Sequence, residues 1–198
     1  MAKRKPLQTK KTNRYVRPTV IVLGDGKTEK SYINKLKELD LFNNVHLKYE
    51  EGSELNFKKK IKEHANNKNV IVIIDVDNAE SNSIKYNAIK KLVDTKKYKG
   101  QIFFNNYSFE LWLLNHIDYF SKPVTDKTQY DKEINDIFGI ESWSKYKNER
   151  NRNQIMKLID HESIQEAVTN IKRLNKKKPF KNPSSNMDEW VYKIKKIK

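Results

Sequence analysis

Asp75 and Asp77 close the run NVIVIIDVD, and no other pair in the chain is placed so well for chemistry. Val70 to Ile74 are five consecutive β-branched apolar residues. A run that apolar, broken at once by charge, predicts a buried parallel strand over 69–75 that empties into a loop. Open α/β sheets bind their ligands at the carboxyl ends of such strands. Side chains two apart on a strand point the same way, so the two aspartates are expected side by side. Bunched carboxylates repel one another, and a hard divalent cation with oxygen ligands relieves that repulsion.

A second acidic group follows the first apolar strand, in LGDGKTEKSY. Asp25 ends that strand and Glu29 lies one turn into the next helix. If strands 18–24 and 69–75 are neighbours, Asp25 meets Asp75 and Asp77, with Gly26 allowing a sharp turn. Gly26-Lys27-Thr28 resembles the end of a phosphate-binding loop, but the full pattern needs a glycine where Ile21 stands. Lys27 is therefore a supporting residue. A third segment, NNYSFELWLLNH, puts Glu110 at the start of an apolar helix. There it either complements the helix dipole or adds an acid to the same sheet edge. His116 follows six residues later and is assigned a supporting place, although a lone histidine on an apolar helix is ordinarily a hydrogen-bonded core residue. The remaining histidines have no ligand spacing, and Ser184 and Ser185 have no nucleophile partner.

The elements that must hold these residues alternate. Strands are expected over 18–24, 44–50, 69–75 and 101–106. Helices are expected over 28–40, 53–67, 82–94 and 108–120, capped where named by Thr28, Ser53 and Ser108. This βα alternation predicts an open, mainly parallel four-stranded sheet flanked by helices over 18–120. Beyond residue 120 the strand signal fades. Helices are expected over 127–138, 152–176 and 187–197, so 121–198 reads as a helical region packed on the core.

With 41 Lys+Arg against 25 Asp+Glu the chain carries +16, which speaks to partners rather than fold. Polyphosphate attracts such a chain because each neutralised phosphate releases counterions. A lysine-rich composition bias would produce the same excess. Residues 1–17 form a basic arm with Lys3, Arg4, Lys5, Lys10, Lys11, Arg14 and Arg17 and no acid. Lys176, Lys177 and Lys178 form a second run. Both are candidate nucleic-acid contacts. Cysteine is absent, which excludes thiol chemistry and zinc-thiolate sites. No apolar run approaches the ~20 residues of a membrane span, so a cytoplasmic protein without a membrane partner is expected.

The segments DGKTEKSY, IIDVD, NNYSFELWLLNH and NPSSN, in this order, resemble the RloB-like family across residues 19–197. The resemblance implies a Toprim-like core, in which a strand-one acid and the Asp-x-Asp bind Mg2+ or Mn2+ for phosphodiester cleavage. Those roles fall on Asp25, Asp75 and Asp77, with Glu29 as a further catalytic acid. It also implies the nuclease effector of a bacterial anti-phage abortive-infection system, acting on RNA (transfer RNA among the candidates) or DNA. An ABC/SMC-like ATPase partner and a homodimer come with that expectation. Two positions depart from the family pattern: Asp25 stands where glutamate is usual, and the third segment lacks its proline. The alternative is a non-catalytic nucleic-acid-binding or regulatory subunit of the ATPase.

Overall fold

The computed structural model describes residues 16–77, 81–140, 148–174 and 178–197. A five-stranded sheet runs through it in the order β2-β1-β3-β4-β5. The strands are β1 (Thr19–Gly24), β2 (His46–Glu51), β3 (Val70–Asp75), β4 (Ile102–Asn106) and β5 (Ser184–Ser185). The first four are parallel to one another, and β1 lies between β2 and β3. The helices are α1 (Lys27–Glu38), α2 (Phe57–Glu63), α3 (Ser83–Asp94), α4 (Glu110–Leu114), α5 (Lys127–Phe138), α6 (Glu149–Lys157), α7 (His161–Leu174) and α8 (Met187–Lys195). A 3-10 turn at Lys96–Tyr98 leads into β4.

Alternation along the strands divides the core in two. Val20, Val22, Ile71, Ile73 and Phe103 face a larger cluster with Tyr32, Trp112, Ile171 and Trp190. Ile21, Leu23, Val72, Ile74 and Phe104 face a smaller one with Phe57, Ile61, Ile89 and Leu92. Both faces of the central strands are thus covered, which is why their sequences are apolar throughout.

The fifth strand corrects the expected four. Ser184 and Ser185 pair antiparallel with Asn106 and Asn105. Asn186 then continues the edge with its side chain, accepting from the Phe104 amide at 2.8 Å and donating to the Ile102 carbonyl at 3.1 Å. Two serines carry no apolar period, so sequence pattern could not reveal this strand.

Three helices also differ from expectation. The 108–120 helix is only Glu110–Leu114. Asn115 folds back on its turn, donating to the carbonyls of Leu111 and Phe120, so the chain leaves the helix there. The 152–176 helix is split in two. Asp160 accepts from the Ser163 amide at 2.8 Å while Ser163 Oγ accepts from the Asp160 amide at 2.9 Å, a reciprocal cap that starts α7 afresh. The 53–67 helix shrinks to Phe57–Glu63, and Leu55 is exposed. Thr28 is not the cap of α1; that position is Gly26.

A candidate acidic metal centre

Strand β1 ends at Gly24 and α1 begins at Lys27, so only Asp25 and Gly26 connect them. That link is too short to wrap a phosphate, in agreement with the incomplete loop motif. It does hold Asp25 at the carboxyl edge of the sheet. Helix α1 turns Tyr32, Ile33 and Leu36 into the core, and Glu29 lies on the same stripe at helical spacing. Glu29 is therefore buried, although it is charged by type. Strand β3 lies beside β1 and brings Asp75 to the same edge.

These three side chains meet. Carboxylate oxygens of Asp25, Glu29 and Asp75 all lie within 4.8 Å of one another. Asp25 and Glu29 are hydrogen-bonded, and the arrangement leaves Asp75 Oδ1 buried without a hydrogen-bond partner. A shielded carboxylate oxygen with nothing to accept from is costly unless a proton or a cation meets it. Burial pushes the carboxyl of Asp75 well above the usual range, and Glu29 and Asp25 push it further. Glu29 is raised well above its ordinary value by burial first and by Asp25 second. Asp25 is raised by burial and lowered in part by its hydrogen bond to Glu29.

Gly26 has a second role here. Its φ of −132° is ordinary extended backbone, so the turn does not demand glycine. A Cβ at this position would overlap the Glu29 carboxylate. Space for that acid, not backbone freedom, is what the missing side chain provides.

Asp77 corrects the expected pair. The strand ends at Asp75, Val76 is buried, and Asp77 takes a left-handed φ of +46°. Strand alternation stops applying once the backbone leaves the extended region. Asp77 Oδ2 instead lies 2.7 Å from Lys85 Nζ on α3. Asp77 is outside the three-acid group, though still near enough to raise Asp25 and Asp75. Lys85 acts on Asp25 in the opposite sense. Sequence reading missed Lys85, which is one lysine among many with no motif to mark it.

The supporting residues divide. Glu110 is buried, receives a hydrogen bond from Ser108 Oγ, and raises both Glu29 and Asp75. It is a fourth acid beside the three. His116 is elsewhere in function: its Nδ1–H donates to the Trp112 carbonyl at 2.8 Å, so Nε2 accepts from the Tyr32 hydroxyl at 3.0 Å. Burial lowers its pKa to about 4, and it serves as a neutral strut between α1 and α4. Lys27 is exposed at the start of α1.

Of the basic candidates, Lys3, Arg4, Lys5, Lys10, Lys11, Arg14, Lys176 and Lys177 lie outside the described residues. Arg17 is exposed just before β1, at the sheet edge opposite the acids. Lys178 is near their edge: Asn106, the last residue of β4, donates to the neighbouring Pro179 carbonyl at 2.8 Å.

A family model described as RloB-like protein matches residues 19–194. The chain belongs to the RloB-like family. The match covers β1 through α8, so every RloB-like segment recognised in the sequence lies within it. None of the curated proteins matches the RloB-like chain, and no solved structure matches it. Among the described residues no helix is long and apolar enough to cross a membrane.

Proposed function

We propose that this RloB-like protein is a divalent-metal-dependent nuclease with a Toprim-like catalytic arrangement, cutting phosphodiester bonds of RNA or DNA. The observation that carries this reading is the meeting of Asp25, Glu29 and Asp75 at the carboxyl edge of a parallel sheet, with Asp75 Oδ1 left without a partner.

The donor set fits the divalent ion that the family resemblance implies. All donors are carboxylate oxygens, the ligands Mg2+ and Mn2+ prefer, and among the described residues no sulfur or imidazole joins them. Asp25, Glu29 and Asp75 would hold the ion. A bound ion supplies charge neutralisation at the phosphate and a more acidic water. The chain's own residues do the rest. Glu29, with its raised proton affinity, is suited to hold or pass a proton at its carboxylate oxygen. Asp77 and Lys85 form a fixed ion pair beside the acids, keeping the edge from becoming wholly negative. Burial first, then the neighbouring acids with Glu110 among them, keep the proton affinities of Glu29 and Asp75 high. The +16 charge draws a polyanion to the surface.

In this reading the protein is the effector of an anti-phage abortive-infection system in the cytoplasm, working with an ATPase partner and open to dimerisation. The test incubates purified protein with transfer RNA and plasmid DNA in magnesium, manganese or EDTA. Cleavage that needs the divalent ion, and that Asp75→Ala removes by at least about a hundredfold, is the expected result. Undiminished cutting by Asp75→Ala would remove the acidic centre from the mechanism. Binding without any cutting, alone and with the ATPase, would favour the non-catalytic alternative.

A further inference from the structure

A cavity of about 580 Å3 lies between α1 and α6. Its walls are two helical stripes. On α1 they are Lys27, Lys30 and Lys35 with the polar residues between them, spaced by three and five positions; on α6 they are Arg152 and Lys157. Helix α1 is therefore two-sided. Its inward stripe delivers Glu29 to the acids, and its outward stripe faces this cleft. Arg152 is buried, and its Nε–H donates to Ser31 Oγ at 3.3 Å, tying the two walls together.

The five cations are opposed by Glu38, Glu51 and Glu149. The cleft therefore keeps a net positive charge, and its lining is polar. It also begins where the acidic centre ends. Lys27 directly follows Gly26, and Glu51 is the register partner of Gly24, the residue before Asp25. A polymer chain leaving the acids along α1 runs into one lysine after another.

We propose that the α1–α6 cleft is a phosphate-backbone site for single-stranded nucleic acid, holding the nucleotides next to the bond that is cut. The proposal takes the substrate's class from the nuclease reading and adds where the strand lies. The volume is that of a small-ligand cleft, ~300–1,000 Å3, which admits single nucleotides of a strand rather than a duplex. Lysines spaced along a helix match a repeating anion better than one isolated phosphate, and they read charge rather than base.

The test measures binding and not cleavage. Fluorescein-labelled single-stranded RNA and DNA are titrated with full-length protein in EDTA, by anisotropy, at several salt concentrations. Lys30→Ala/Lys35→Ala/Lys157→Ala is compared with Lys58→Ala/Lys59→Ala/Lys62→Ala on α2, which removes equal charge from another face. The cleft variant is expected to bind at least about tenfold more weakly and to flatten the log–log salt slope by about 2, at ~0.7 for each phosphate no longer neutralised. The α2 variant should keep nearly the wild-type slope. Equal weakening in both variants, or none in the cleft variant, overturns the site. Should the triple variant lose its fold, the single exposed change Lys157→Glu gives the same comparison. Cleft-specific weakening in a protein that never cuts would uphold the cleft and defeat the nuclease reading; cutting without cleft-specific weakening would do the reverse.

Discussion

The Lys85 ammonium lies 2.7 Å from Asp77 Oδ2, and the two side chains keep only 15% and 13% of their surface. This pair sits where the sequence pattern placed an aspartate couple. Asp77 has left that couple because its backbone is left-handed, and α3 supplies the cation that meets it. The acidic edge is thus three clustered carboxylates, with a neutralised aspartate beside them.

Removing Lys85 takes from Asp77 the cation it is paired with. Lys85→Met breaks this mostly shielded pair and should cost about 3 kcal/mol, at the low end for a buried pair because some solvent reaches both groups. Lys85→Met/Asp77→Asn should recover most of that stability. Urea unfolding of the four proteins of the cycle gives the coupling directly. If the double variant is as unstable as the sum of the singles, the two groups do not act together.

The three acids make stability depend on pH in a direction opposite to that of ordinary surface carboxylates. Their folded proton affinities are raised, most of all for Glu29 and Asp75, chiefly by burial. An unfolded chain releases these protons near the usual carboxylate range, about pH 4. The folded state therefore binds more protons above that range, so their contribution is complete at low pH and is lost as pH rises through the folded values. In EDTA the melting temperature should fall as pH rises above the usual carboxylate range, each kcal/mol costing ~2–4 °C. Magnesium should restore it, increasingly with pH, because the ligands must shed protons to bind. Scanning calorimetry against Asp75→Asn isolates the effect. A wild-type curve parallel to that variant's, with and without magnesium, would contradict it.

His116 runs the other way. Its folded pKa is depressed to about 4, while the unfolded side chain titrates near 6.5. The folded chain excludes a proton that the unfolded one accepts, so stability present above about pH 6.5 is lost as pH falls toward 4. The full effect is on the order of 3 kcal/mol for a group buried this completely. His116→Gln keeps a partner for Tyr32 and should remove this pH dependence relative to wild type. Its cleavage rate at neutral pH should stay within about threefold. A folded variant that cuts about a hundredfold more slowly would return His116 to the reacting centre.

What is legible in the sequence follows from what period can carry. The βα alternation marks β1 to β4, and the adjacency of β1 and β3 brings Asp25 to Asp75. Glu29 is marked by its place between strand-end acid and helix, and it shares the 29, 32, 33, 36 stripe that enters the core. Its burial is less legible, because type alone does not tell a buried acid on an apolar stripe from one at the stripe's solvent margin. Asp77 is misplaced when strand alternation is carried two residues past a strand that ends at Asp75. Lys85 and the Ser184–Ser185 strand depend on neighbours brought together by the fold, and neither a lone lysine nor a serine pair announces them.

Gly26 offers the sharpest test of the site's geometry, because its substitution changes space and not charge. A methyl group there overlaps the Glu29 carboxylate. The backbone at this point is extended, so alanine meets no conformational penalty of its own. The strain must then be relieved by moving Glu29, whose side chain can swing only at the expense of its hydrogen bond to Asp25. Gly26→Ala should leave the melting temperature in EDTA within a few degrees of wild type. Its metal affinity, read by manganese relaxation or calorimetry, should fall by about ten- to a hundredfold, the range seen when groups that orient ligands are disturbed. Glu29→Gln should weaken binding comparably, and adding it to Gly26→Ala should cost little more, since both remove the same carboxylate from the same place. Additive effects would mean that Gly26 acts on the centre by a route other than Glu29.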